Sequence, residues 1–218
     1  MADEAILDEA ESTKFLGMYL DRGLTWSDHI DRVCSKVASG TYVLRNLAKF
    51  CSFDVLKTAY FGTVHPHLTY GLRLWGSCSK YKFDRVFRTQ KKAVRIISKL
   101  KPRESCKIAF RELGFLTLPS LYILDVTLYC QFKCELVQGR EVHQYETRGR
   151  NNFRTEQHRT AMFEHLPSQM GVKLINKLPG DLKRINEPKQ FKSRLRHFLL
   201  SKAFYSVDEF TMGRWDEN

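Results

Sequence analysis

The hydrophobic positions of this chain fall mostly at helical spacing, with one short exception near the start. Lys14 to Asp21 (KFLGMYLD) is brief and apolar, with Gly17 inside it and Arg22-Gly23 after it, which predicts a strand running into a turn. Ile30, Val33, Val37, Thr41, Leu44 and Ala48 then recur three or four residues apart. That spacing predicts a helix, opened by a capping box of Thr25 and Asp28 or by Ser27 as the alternative cap. A second helix opens at Ser52 or Phe53 with Leu56, Ala59, Tyr60 and Thr63 on one side. It should end before Pro66, which cannot continue the hydrogen-bond ladder. Leu68 to Trp75 (LTYGLRLW) fits helix and strand alike.

Residues 83–100 carry the clearest helical pattern. At 100° per residue, Phe83, Val86, Phe87, Ala93, Val94, Ile97 and Leu100 share one broad sector, while Arg85, Arg88, Lys91, Lys92, Arg95 and Lys99 fall opposite. Pro102 ends it. A short helix follows over Cys106–Leu113, stopped by Gly114, and a longer apolar one over about 120–138, closed by Gly139. Residues 140–160 are polar and basic without period, which predicts a loop; Asn176 to Gly180 predicts a turn. A last amphipathic helix spans 188–203, with Phe191, Leu195, Phe198 and Leu199 on one side and Lys189, Lys192 and Arg196 beside it. The expected fold is mainly α: a helical bundle plus a helical C-terminal region, with a short N-terminal β-strand or hairpin.

At 218 residues and 43% apolar, the chain can bury a sizeable core. No apolar run approaches the roughly 20 residues of a spanning helix, so no membrane partner is expected. The N-terminal stretch is acidic (Asp3, Glu4, Asp8, Glu9, Glu11) and not a basic-then-apolar leader, which suggests an intracellular, reducing setting. Charge sharpens this. The net charge is +12, but Lys80 to Arg111 alone holds twelve bases against Asp84 and Glu104, and Lys183 to Lys202 holds seven bases against Glu187. Both ends are acidic, including Asp208, Glu209, Asp216 and Glu217. A polyanion is the expected partner, bound at the two basic segments.

Candidate chemistry is sparse. Cys130 and Cys134 are spaced CxxxC in an apolar helical pattern, with His143 downstream but no fourth ligand at knuckle spacing, so no metal site is expected. Cys34, Cys51, Cys78 and Cys106 complete a set of buried or free thiols, without a disulfide framework. Asp28 and Asp31 suit a helix first turn, and His65 and His67 should face apart. No GxxxxGK[ST], HExxH or GxSxG pattern occurs. A nucleophilic role for Cys78 or Cys106 would need a nearby base that the local sequence does not supply. No catalytic residue is expected.

Taken in order, KFLGMYLDRGLTWSDHIDRVCSKV, LKTAYFGTVHPHLTYGLRLWG, FRTQKKAVRIISKL, IAFRELGFLTLPSLYI, LINKLPGDLK and FKSRLRHFLLSKAFYSVDEF resemble the C-terminal third of non-LTR (LINE-type) retrotransposon reverse transcriptases, particularly the jockey-like group. The resemblance covers about residues 13–211, and order and spacing carry it more than any one segment. It implies that Phe15, Leu16 and Gly17 match the last palm motif beside the primer grip. Residues 1–24 would then be an acidic leader and palm-remnant strand, 25–110 a helical thumb-like domain, and 111–218 a helical C-terminal extension with a basic loop near 140–160.

The implied role is grip without chemistry. Arg85, Arg88, Lys91, Lys92, Arg95, Lys99, Lys101 and Arg103, with Lys189, Lys192 and Arg196, would follow the phosphates of RNA or an RNA–DNA hybrid, with target DNA as a further partner. Tyr81 is a candidate for base stacking, whereas Phe83 is expected in the core. The family's paired catalytic aspartates precede the FLG motif, and no FxDD pattern occurs here. The chain is therefore expected to be a fragment, a truncated copy or a host-retained relic, inactive alone. It would hold no cofactor itself, a divalent metal entering only with palm and fingers supplied elsewhere. The alternative is a relic acting as a helical protein-interaction module. Phe15, Leu16 and Tyr19 should be either re-buried on the helices or left aggregation-prone. A nuclear location follows from this resemblance.

Overall fold

The computed structural model describes residues 10–142, 150–164 and 166–215. The acids Asp3, Glu4, Asp8, Glu9, Asp216 and Glu217, together with His143 and Arg148, lie outside the described residues.

KFLGMYLD is a hairpin and not a single strand. Strand β1 (Ser12–Phe15) pairs antiparallel with β2 (Met18–Asp21), Phe15 opposite Met18 and Ser12 opposite Asp21. The turn consists of Leu16 and Gly17, both left-handed at φ +46° and +81°. Positive φ at both central residues matches the twist of the flanking strands. Gly17 adopts it freely; Leu16 does so at a cost of about 1 kcal/mol. The Tyr70 hydroxyl donates to the Leu16 carbonyl and holds the turn against the helices.

Helix α1 (Ser27–Leu47) opens differently from the expected capping box. Trp26, at the cap position, is left-handed (φ 64°), and neither Thr25 nor Ser27 caps with its side chain. Instead the Asp21 carboxylate, at the end of β2, accepts from the Thr25 and Ser27 amides at 2.7 and 3.1 Å. A residue of the hairpin thus satisfies the first orphan amide of the helix, that of Ser27, and fixes the approach to it through Thr25. Halfway along α1, Gly40 lies so close to the next helices that a Cβ there would sit 2.5 Å from the Thr63 carbonyl oxygen.

Helix α2 (Phe53–Thr63) ends as predicted, but Pro66 lies in the first turn of a further short helix, α3 (His65–Thr69). Proline lacks only an amide that a first turn leaves unpaired. The ambiguous Leu68–Trp75 segment is helical on both sides of a break at Tyr70-Gly71, where Gly71 is left-handed (φ 63°), and continues as α4 (Leu72–Trp75).

Helix α5 (Lys80–Ile97) carries the predicted amphipathic pattern but stops short of residue 100. The Leu100 amide reaches back to the Arg95 carbonyl at 2.9 Å and the Lys99 amide to Ile96 at 3.3 Å. This is a Schellman closure with Lys99 at the left-handed position (φ 53°), where glycine is usual.

After α6 (Lys107–Leu113), closed by left-handed Gly114, α7 (Leu118–Lys133) starts at a Thr117 cap. It ends five residues before the predicted limit, at extended Cys134. The described residues of the segment predicted as a loop include a helical turn and an isolated bridge. Helix α8 (Gly139–Val142) is bonded through the Arg140 amide to the Arg150 carbonyl, and Gln138 forms an isolated bridge with Phe153. Helix α9 (Ala161–Glu164) is followed by α10 (Pro167–Asn176), a helix absent from the sequence-based expectation. Helices α11 (Gly180–Lys183), α12 (Pro188–Lys202, capped by Glu187) and α13 (Val207–Met212, capped by Ser206) complete the described chain.

One contiguous core runs from Ile30 to Phe210, with Trp75, Tyr60, Tyr122 and Phe110 among its fully buried rings. Helix α7 lies at its centre, packed on α10, α12, α4, α5 and α13. Its contact with α10 is tightest at Gly171, where a Cβ would overlap the Cys130 sulfur. Gln90 is fully buried on the inner face of α5. Its amide donates to the Tyr60 hydroxyl (3.0 Å) and the Leu116 carbonyl (2.9 Å) and accepts from the Leu118 amide (2.8 Å), so α2, α5 and the approach to α7 meet on one side chain.

Candidate nucleic-acid interface

The basic side of α5 is real, but its cations are not equivalent. Arg85 forms an ion pair with Asp31 of α1 at 2.7 Å. Lys80 and Lys107 are held by Asp208 and Glu209 of the acidic C-terminal stretch at 3.0 and 2.8 Å. Lys82 donates to the Thr25 carbonyl. Arg95 caps the Glu104 carbonyl with two N–H groups, near 3.0 and 3.1 Å. Lys91 is half-buried, its ammonium 4.6 Å from the Phe87 ring centre and 5.2 Å from that of Tyr205. Burial, with Arg95 nearby, holds its pKa below the usual lysine value. Arg88, Lys92, Lys99 and Arg103 are exposed and make no ion pair among the described residues.

These residues border a groove of about 800 Å³. Arg88, Lys91, Lys92, Arg95, Lys99 and Arg103 line it, joined by Arg45 from the last turn of α1, with no acid; Ile96, Leu100 and Pro102 form its apolar floor. Arg45 was not foreseen. It lies forty residues before Arg85, the first base of the stripe, and only the pairing of α1 with α5 brings it there. The Asp31–Arg85 pair near the two helix starts and the shared groove near their ends show that α1 and α5 run side by side in one sense. Lys101 is exposed beside the groove but does not line it; its amide donates to the Glu104 carboxylate.

The second predicted basic set lies elsewhere. Lys189 and Lys192 are exposed on α12, and Arg196 donates to the Gly114 carbonyl at 3.0 Å. None of the three lines the groove. Phe83 is buried in the core, whereas Tyr81 stays exposed.

Phe15 and Leu16, 58% and 71% exposed, stand at the hairpin tip. Tyr19 is half-buried, with the Arg32 guanidinium 5.1 Å from its ring centre. Thus one of the three apolar residues is covered by α1 and two are not. Gly17 borders a second cavity of about 360 Å³ between the hairpin, α1 and α3, lined also by Lys14, Arg32, Lys36 and His67. His29 sits at its inner wall, with Nδ1 accepting the Tyr19 amide at 3.4 Å and Nε2 buried without a partner among the described residues.

Among the described residues, no three His, Cys, Asp or Glu side chains gather where a metal ion would fit. His65 packs against Phe61 at 5.1 Å while His67 borders the hairpin cavity, so the two do face apart. Burial raises the Cys78 and Cys130 thiols to about 11 and about 12, and raises that of Cys106 as well. Such thiols are poor nucleophiles. No single described helix is long and apolar enough to cross a membrane; α6 and α7 have the composition together, but they bend by 57° at their junction, and α7 lies in the core.

No family model matches the chain, and no solved structure matches it. Two curated relatives match in part. The chain is 29% identical over 96 residues to the probable RNA-directed DNA polymerase from transposon BS of Drosophila melanogaster, which is 43% of this chain and 11% of that protein. It is 30% identical over 100 residues to the probable RNA-directed DNA polymerase from transposon X-element of the same organism, 44% of this chain and 11% of that protein. The chain therefore spans only about a tenth of the length of these relatives, and over somewhat less than half of its own it is similar to RNA-directed DNA polymerases of transposons.

Proposed function

We propose that this chain is the nucleic-acid-gripping part of a non-LTR retrotransposon reverse transcriptase, jockey-like in type, with residues 25–110 as the thumb and 111–218 as the C-terminal extension. The observation that carries this reading is the groove between α1 and α5: seven bases, no acid, and an apolar floor. Seven cations converging without a counter-charge repel one another, and a phosphate backbone relieves that repulsion. The partner is the RNA template or an RNA–DNA hybrid, and target DNA in turn, which implies a nuclear site of action.

The hairpin supports the accompanying role. The Phe15 and Leu16 side chains at its tip are apolar and exposed, while Tyr70 holds the turn backbone and Asp21 and His29 tie β2 to the start of α1. In this reading Phe15, Leu16 and Gly17 form the primer-grip edge, and the palm and fingers, supplied outside these residues, dock over the tip. The catalytic carboxylates and their metal ions come with that palm; this chain provides orientation and hold.

Binding of single-stranded RNA, RNA–DNA hybrid and duplex DNA across a salt series tests the reading. Arg45→Glu, Arg88→Glu and Lys92→Glu are suited to it, because none of these side chains supports the core. Affinity should fall steeply with salt, each lost phosphate contact lowering the log–log slope by about 0.7 to 0.9. A flat salt response, or unchanged binding in the triple variant, overturns it. Purification with a protein partner and no nucleic acid would instead favour the interaction-module alternative.

A further inference from the structure

A third cleft, far from the groove in sequence, has a different chemistry. It measures about 550 Å³ and lies where the end of α7, the start of α8, residues 151–153, the end of α10 and α11 come together. Five carboxamides line it: Gln131, Gln138, Asn151, Asn152 and Asn176. Arg140, Lys183 and Arg184 stand at its border, and no acid does. Phe153 and Ile175 supply its apolar floor.

The amides divide by role. Asn176 is committed to the scaffold, its Oδ1 accepting the Phe153 amide at 2.9 Å and its Nδ2 donating to the Phe153 carbonyl at 2.8 Å. That clamp, with the Gln138–Phe153 bridge, fixes the 151–153 wall. Lys183 is likewise engaged, on the Asn176 carbonyl at 2.7 Å. Gln131, Gln138, Asn151 and Asn152 make no side-chain hydrogen bond among the described residues, and Arg140 and Arg184 make no ion pair there. A carboxamide offers a donor and an acceptor side by side, the pattern that matches a nucleobase edge, whereas a lysine or arginine on its own meets a phosphate as a charge. The groove at α5 has seven bases and no carboxamide; this cleft has the opposite balance.

We propose that the cleft takes one unpaired base of a bound nucleic-acid strand, read by Asn151, Asn152 and Gln131, with Arg140 and Arg184 on the adjoining phosphate. The inference rests on the proposed nucleic-acid role and adds to it. The groove supplies affinity regardless of sequence; the cleft supplies preference among bases. A paired base presents only its groove edges, so the strand must be single here.

Fluorescence anisotropy of the full chain with short oligo(A), oligo(C) and oligo(U) tests it, using Asn151→Ala/Asn152→Ala, Gln131→Ala and the groove variant Arg88→Glu/Lys92→Glu. The wild type should prefer one homopolymer by about five- to a hundredfold, the range of one bidentate base contact. The amide variants should erase that preference with the salt slope unchanged; the groove variant should lower the slope and keep the preference. Deoxy oligomers should retain the preference, since base edges carry it. Equal affinity for all homopolymers, a preference untouched by the amide variants, or one that vanishes in DNA overturns the inference while leaving the groove reading intact. No salt-dependent binding of any oligomer removes both.

Discussion

Gln90 donates to the Tyr60 hydroxyl at 3.0 Å from the inner face of the helix whose outer face carries Arg88 and Lys92. One helix thus carries a fully buried side chain with three hydrogen bonds on its inner face and four of the groove's cations, Arg88, Lys91, Lys92 and Arg95, on its outer one. The Tyr60 ring in turn stacks on Phe115 at 4.1 Å, so the polar contact and the aromatic contact fix the same ring.

Gln90→Leu keeps the volume near constant but strands the Leu118 amide, the Leu116 carbonyl and the Tyr60 hydroxyl in a dry core. Leaving buried polar groups unpaired costs about 1–3 kcal/mol each. The expected loss is about 3 kcal/mol or more, read as a lower denaturation midpoint. A midpoint within experimental error of the wild type would show that these bonds do not support the core.

Gly40→Ala should destabilise, although alanine favours helices by about 1 kcal/mol over glycine. The added methyl would meet the Thr63 carbonyl oxygen at 2.5 Å and the Val64 Cγ2 at 2.9 Å, so α1 must move from the α2–α3 junction. Overpacking of this kind costs about 1–3 kcal/mol. Gly62, with nothing within 4 Å of its Cβ position, is the control: alanine there should be neutral or stabilising.

Lys99→Gly should raise stability and weaken binding together. Glycine suits the left-handed closing position of α5, a gain of about 1 kcal/mol, while the groove loses one cation. Thermal unfolding should shift upward by a few degrees. The salt slope of binding should fall by about 0.7 to 0.9.

Acid should erode stability in two steps. Burial lowers the pKa of His29 from 6.5, so the unfolded chain takes up that proton first, and stability declines as the pH falls below 6.5. His65, lowered by burial and by Arg196, adds to the same step. Burial tends to raise the Asp21 carboxyl, but hydrogen bonds from Thr25, Ser27 and Trp26 outweigh it and hold the pKa below 3.8. Its contribution is present above that value and is lost as the pH falls through the lowered one. Denaturation midpoints from pH 8 to 3 should show both steps, His29→Gln reducing the first and Asp21→Asn the second.

The elements legible in the sequence were those whose signal is local. The two-sided pattern of α5, the stop at Gly114 and the Phe191–Leu195–Leu199 face of α12 each follow from residues within a few turns. What escaped depends on contacts between distant segments. Thr25 and Ser27 have the right chemistry in the right place for caps, yet Asp21 takes the amides from the end of β2, a contact that depends on how the hairpin packs on α1. Leu16 in a left-handed turn contradicts its own preference, so the sequence leaves strand and hairpin both open there and only the fold decides for the hairpin. Helix α10 is short and interrupted by Gly171, a residue that weakens a helical pattern but lets it close on Cys130. Of the groove, the six residues on or just after α5 were legible and Arg45 was not, because nothing local links α1 to α5.

That composite origin has a genetic consequence. The groove exists only while α1 lies along α5, held by the Asp31–Arg85 pair and by the core beneath. On the proposed nucleic-acid role, a screen for loss of retention should therefore recover substitutions at Gly40 and Gln90 as readily as at Arg88 or Lys92, although the first two do not line the groove. The two classes part under ionic strength: core lesions lower the active fraction and leave the salt slope alone, whereas groove lesions change the slope itself.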